Sequence, residues 1–304
     1  MRRWMCFLLA LSVALSGAAA ALAEAPVPEA PVTGTADGFT WKALEDGTAE
    51  ITGYTGPETG IAVPAEVDGL PVSRIGAWAF EKSAVTRIEI PEGVTSVGRY
   101  CFSECRDLAE IVLPESLTSL GDCAFILCTS LTALTLPEAL TEVGQNPFCY
   151  CTALTELEGL EANPALLFTD NALYDRGSKR LIGRLCAAEE RIFEVWDECE
   201  VIGDYAFADN KHLASAVLPE SVTVVGSYAF FHCTGLQTVE FPGTVEAIGD
   251  GCFEQCIAVR MIAPEDSFAW AWAEARGMGV LAPDTEEPAE TGNPDSPLES
   301  EDAG

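Results

Sequence analysis

One cadence runs through most of this chain and leaves few folds open to it. Pro91, Pro114 and Pro137 advance by 23 residues, as do Phe102, Phe125, Phe148 and Cys105, Cys128, Cys151. The same landmarks return as Ile202-Gly203 with Ala206-Phe207 and Asn210, then Leu218-Pro219, Val225-Gly226, Ala229-Phe230 and Cys233. They close with Phe241-Pro242, Ile248-Gly249, Cys252-Phe253 and Cys256, and an earlier copy opens at Ile75-Gly76, Ala79-Phe80 and Ser83. A short unit of this kind cannot bury its own apolar edge. It must stack on its neighbours, which predicts a solenoid with one continuous core.

The spacing within a unit says how each coil is built. In Leu131-x-x-Leu134-x-Leu136 alternate residues point inward from a short strand, and the following proline ends it because it cannot donate to a ladder. Val-x-x-Ile-Gly supplies a second short extended piece, with the glycine expected where a Cβ would obstruct a turn. Ala-Phe then places one small and one large side chain inside a helical or irregular turn. The fold class is therefore mainly β: a solenoid of 23-residue units joined by short irregular or helical turns.

Both ends of such a stack need covering. Phe39–Leu44 and Thr48–Tyr54 read as a β-hairpin cap across Glu45, Asp46 and Gly47. At about 264–280 a helical cap is expected, started by Asp266 or Ser267 and stopped by Gly277, with Phe268, Ala271, Trp272 and Ala275 facing inward. Between Gly144 and Gly203 the cadence breaks. Short apolar pieces separated by turn clusters there read as a modified repeat with a hairpin insertion, about 158–196, rejoining the register at Phe193 and Val195.

These pieces resemble the treponemal, BspA-like class of bacterial leucine-rich-repeat surface proteins. The resemblance is carried by the Leu-Pro, Val-Gly and Ala-Phe-x-x-Cys elements, by Asp46-Gly47 through Tyr54, by Asp68-Gly69-Leu-Pro71-Val72, and by Phe168 to Ile182. It spans residues 38–280. It implies a secreted or surface-displayed protein of a host-associated microbe, of a kind implicated in adhesion, coaggregation and binding of host matrix.

The chain's ends fit an extracellular setting. Arg2-Arg3, the apolar run from Cys6 to Val13 and Ala21-Leu-Ala23 read as a secretory signal peptide, residues 1–23, too short to span a bilayer. Residues 24–37 read as a Pro/Ala linker and 281–304 as an acidic disordered tail. No transmembrane segment is expected. With 48 acidic against 16 basic residues and a formal charge of −32, phosphate backbones and anionic lipid are repelled, so nucleic acid is excluded as a partner. The same charge keeps copies apart, and a monomer is expected.

Chemistry is hard to place on this pattern. Five of the 12 cysteines share one repeat position, which Ser83 and Asn210 fill in other units. Cys101 and Cys252 stand where other units have alanine, and Cys199 where one has Val222. They read as small core thiols, with some disulfides as the alternative; the spacings do not suit a metal. His212 and His232 read as surface residues, since no nucleophile, metalloprotease or phosphate-loop motif accompanies them. Glu92, Glu115, Glu138 and Glu220 recur directly after proline. That repetition marks a solvated face, not the single carboxylate pair of a hydrolase. No enzyme activity, cofactor or metal is predicted.

What remains is a surface. The residues flanking each inward strand position should project along one broad sheet: Arg87 and Glu89, Glu110 and Val112, Thr132 and Thr135, Glu156 and Glu158, Ser215, Thr238 and Glu240. Solenoids use such faces for recognition. The expected function is a binding or adhesion module for an extracellular protein or glycan, on host matrix or neighbouring cells. The alternatives are a structural spacer without a ligand and an extracellular hydrolase using acidic residues.

Overall fold

The computed structural model describes residues 32–283. The signal-peptide segment, the linker up to residue 31 and the acidic tail from 284 lie outside the described residues.

The 23-residue cadence becomes two rows of short parallel strands. On the front, Arg87–Glu89, Glu110–Val112, Ala133–Thr135 and Glu156–Glu158 each show the exposed-buried-exposed pattern that the alternation predicts. Ile192–Glu194, Ser215–Val217, Thr238–Glu240, Arg260–Ile262 and Gly279–Leu281 continue that row after the insertion. On the back lie Ser96–Val97, Ser119–Leu120 and Glu142–Val143, then Val201–Ile202, Val224–Val225 and Ala247–Ile248. Register follows the repeat directly: Ile88 pairs with Ile111 on the front, and Val97 with Leu120 and Leu120 with Val143 on the back. Between the rows each proline both ends its strand and tightens the next turn, as where Leu117 N donates to Pro114 O at 3.1 Å.

The interior is a ladder of rings. Phe80, Phe102, Phe125 and Phe148 stack at centroid separations of 5.2, 5.2 and 6.0 Å. Phe207, Phe230 and Phe253 form a second ladder at 4.6 and 5.3 Å, and Trp272 meets its last ring edge-on. Each ring is buried because the neighbouring coils bring an identical ring to the same height.

The glycine after the back strand serves a different purpose from the one its turn position suggests. Its φ is not positive; a Cβ on Gly121 would run into the backbone nitrogen of Arg99 on the preceding coil. The left-handed residues are instead non-glycine pairs four apart in each turn, such as Tyr100 and Glu104, Cys123 and Leu127, Tyr228 and His232. Their backbone amides reach the next coil, with Tyr100 N on Asp122 O at 2.9 Å and Glu104 N on Ile126 O at 2.8 Å.

Three expectations need correction. Thr33–Ala36, inside the stretch read as linker, is a strand paired antiparallel with Phe39–Lys42, so the entry cap is a three-stranded meander. The alternating small and β-branched residues of Thr33-Gly-Thr-Ala36 suit a sheet edge, and the prolines stop short of them. In the terminal helix, Phe268–Ala275, Ser267 Oγ accepts from Trp270 N at 3.1 Å as the expected cap. Its inner face, however, is Ala269, Trp272 and Ala273; Phe268, Ala271 and Ala275 are exposed. The helix is only two turns long and rotates Trp272 onto Phe253, which carries the other three positions outward.

The third concerns the front row, which is three sheets: one ends at Glu110–Val112, Ala133–Thr135 and Glu156–Glu158 form the next, and the third begins at Ile192–Glu194. The insertion folds as Leu166–Thr169, Ala172–Asp175 and Arg180–Arg184, paired antiparallel in that order. Its last strand rejoins the back row beside Val201–Ile202. The tip, Asp170-Asn171, is tied forward by Leu185 N on Asn171 O at 2.8 Å. Glu156–Glu158 and Ile192–Glu194, successive front strands, therefore belong to separate sheets.

Candidate interaction face

The first facet of the front carries Arg87, Glu89, Glu110, Val112, Thr132, Thr135, Glu156 and Glu158, all exposed. Beneath them Ile88, Ile111, Leu134 and Leu157 are buried in the core. Pairing fixes which outward residues are neighbours: Arg87 beside Glu110, Glu89 beside Val112, Glu156 beside Ala133, Glu158 beside Thr135. Thr132 lies just before its strand and its carbonyl accepts Thr155 N at 3.0 Å. Arg87 Nε meets Glu110 Oε1 at 3.0 Å, with both side chains more than half exposed. Such a pair is worth under about 1 kcal/mol, so it orders the surface more than it stabilises the fold.

Ser215, Thr238 and Glu240 lie on the other facet and are not brought beside the first group. There Thr238 Oγ1 donates to Ser215 Oγ at 3.0 Å, and Glu240 sits beside Val217 and Ile262. Reading the row by its cadence alone also passed over Ile192 and Glu194, the outward residues of the strand next to the break. Phe193, in register and buried, was the signal that could have placed them.

The other candidate residues have structural partners. All eleven described cysteines are free, and ten are buried. At the shared repeat position the thiols of Cys105, Cys128, Cys151, Cys233 and Cys256 donate to the carbonyls of Phe80, Phe102, Phe125, Phe207 and Phe230. Burial pushes the Cys105 thiol up to about 12 and Cys123 to about 11, and drives Cys101 and Cys149 well upward. These are poor nucleophiles. His232 is not a plain surface residue: its Nδ1 lies 2.7 Å from a buried Asp209 carboxylate that also meets Lys211 Nζ at 2.9 Å. The pair braces a turn, while His212 is exposed as expected.

No group of three or more His, Cys, Asp or Glu among the described residues is arranged to hold a metal ion. No helix among them is long and apolar enough to cross a membrane.

The model of the BspA type leucine rich repeat region matches in six copies, over residues 72–164 and 192–269. The unmatched interval brackets the three antiparallel strands of the insertion. Among solved structures, a leucine-rich repeat protein from Bacteroides capillosus is 34% identical over 42% of this chain and 99% of its own, with a TM-score of 0.40. A leucine rich cell surface protein from Faecalibacterium prausnitzii is 21% identical over 84% and 96%, with a TM-score of 0.42. The T. pallidum leucine rich repeat protein is 23% identical over 82% and 97%, with a TM-score of 0.45. No curated protein matches the chain at a significant level.

Proposed function

The chain belongs to the BspA-type leucine-rich-repeat family, and from that premise we propose that it is a secreted or cell-surface binding module without catalytic activity. It acts as a monomer and recognises an extracellular protein or glycan through the first facet of the front. The observation that carries this reading is the facet itself. Eight outward side chains from Arg87 to Glu158 stand on four buried strand centres, so their spacing is set by the core. Such preorganisation lowers the entropic cost of binding. The residues are small, polar or acidic, which suits a broad polar contact more than a deep pocket.

The test uses the full chain against immobilised extracellular-matrix proteins and mucin glycans. Replacing Glu110, Thr132 and Glu156 by arginine should weaken capture by about tenfold or more, with the thermal midpoint unchanged. Undiminished capture by the triple variant would move recognition off this facet. Failure of the unmodified chain to capture any of them would favour the spacer reading.

A further inference from the structure

The break in the front row holds a cleft. The hairpin tip lies beside the strand that opens the second facet, and with it borders a cavity of about 450 Å³ lined by Asp170, Glu190, Ile192, Phe193 and Glu194. One wall is built firmly. Glu190 accepts Asn171 Nδ2 at 3.1 Å on Oε1 and meets Arg184 Nη2 at 3.0 Å on Oε2. Arg184 is itself fully buried behind that wall, its guanidinium 5.1 Å from the Phe193 ring centre and its Nε without a partner among the described residues. Glu190 is thus neutralised and held in place. Asp170 and Glu194 are in no ion pair among the described residues, and Asp170 only accepts from Thr169 Oγ1 at 3.0 Å. Ile192, between Glu190 and Glu194, is 67% exposed and offers its side chain to the cleft.

The exposed Ile192 side chain and the acidic residues around it together match one kind of side chain. A long cationic residue lays its aliphatic stem on an apolar surface and carries its charge to the edge. Arginine suits the rim better than lysine, since its planar head can meet a carboxylate with two parallel bonds. We propose that this cleft receives an arginine from an extended segment of a partner protein, docked across the front. The inference rests on the binding-module reading and narrows its partner from protein or glycan to a basic protein. Exposed Arg191 is a chain neighbour of this lining, and with Arg184 it stands against Asp170, Glu190 and Glu194, so the local balance is negative.

The experiment titrates the full chain with a labelled Gly-Arg-Gly-Arg-Gly peptide and with its citrulline counterpart, which keeps the shape and removes the charge. The arginine peptide should bind at least about tenfold more tightly, and Asp170→Asn with Glu194→Gln should remove that advantage. Ile192→Ala should weaken binding by about threefold. Glu138→Gln with Glu220→Gln removes two exposed charges elsewhere and should leave affinity within about twofold. Equal losses in the two charge pairs would reduce the effect to general acidity and overturn the cleft. So would equal binding of the citrulline peptide, or no binding at all. The facet test is independent of this one: capture lost in the arginine triple variant, with no peptide binding at the cleft, would leave the module reading standing and sink only the cleft.

Discussion

The thiol of Cys128 donates to the carbonyl of Phe102 on the preceding coil, at 3.1 Å. The same bond recurs wherever the position is cysteine, so this residue is kept as a small donor that locks one coil to the last. Cys128→Ala should cost about 1–2 kcal/mol, combining a lost hydrogen bond with a small cavity. Cys128→Ser should cost less, as Ser83 already fills the position in an earlier unit, and Cys128→Leu should cost most by overpacking. Urea unfolding of the three variants ranks them; a leucine as stable as serine would remove the donor argument.

Burial of these thiols gives the fold an alkaline limit. Cys105 is pushed up to about 12, and Cys123, Cys199 and Cys256 to about 11, each chiefly by desolvation, from an ordinary value of 9.0. A folded value above the unfolded one means the unfolded chain releases these protons first. The stability they contribute is whole below about pH 9 and is lost as pH rises toward about 11–12. The urea midpoint should therefore fall steeply between about pH 9 and about pH 11, and Cys105→Ser should flatten that fall. The native chain should also resist a thiol reagent at neutral pH and react fully once denatured. A flat midpoint across this window would contradict the assignment.

Phe125 is fully buried between Phe102 and Phe148, at 5.2 and 6.0 Å. Phe125→Ala should cost about 3–5 kcal/mol. Because each coil is stabilised by its neighbours, the loss spreads to both. Hydrogen exchange should quicken at Phe102 and Phe148 before it quickens at Phe230. Uniform acceleration along the chain would mean that the coils do not unfold as a nearest-neighbour array.

Two glycines separate close approach from turn freedom. A Cβ at Gly121 would meet the backbone of Arg99, which cannot move aside without parting two coils, and Gly121→Ala should cost about 1–3 kcal/mol. Gly60 opens a short strand, Gly60–Ala62, that pairs with Arg87–Glu89 at the start of the front row, and it has nothing within 4 Å of its Cβ position. Gly60→Ala should be neutral or stabilise by up to about 1 kcal/mol, through the unfolded chain. Thermal midpoints of the two variants decide it, and equal shifts would refute the packing explanation.

The coil architecture was legible because Phe102, Phe125 and Phe148 occupy equivalent environments, and equivalent environments demand like residues at a fixed interval. The splitting of the front was not. Asp170-Asn171 reads as an ordinary solvent turn, and only the bonds from Leu185 N and to Glu190 hold it beside Ile192. The outward residues from Arg87 to Glu158 and Glu240 are exposed, since Ile88 and Leu134 fix the parity on either side, while Ser215 and Thr238 are half-buried. Which of them share a surface depended on a break that parity does not report. Arg184 was likewise hidden, because an arginine after Ile182-Gly183 looks like a strand end facing water.

Arg184 supplies the sharpest test of the insertion. Asn210 takes the ladder position that is cysteine in most units, and its Nδ2 donates to Arg184 O at 3.3 Å, the bond a thiol makes elsewhere. Unlike a thiol it also offers Oδ1, which accepts Arg184 Nη1. The guanidinium thereby joins the insertion to the following coil, and desolvation lowers its pKa while Glu190 opposes the shift. Arg184→Ala would strand Asn210 Oδ1 and release Glu190, at a cost of about 3–5 kcal/mol. Arg184→Met with Asn210→Cys restores an apolar rung and the common residue together, and should recover most of that loss. Urea unfolding of the single and double variants measures the coupling. Additive losses would show that Asn210 is present for reasons unconnected with the buried cation.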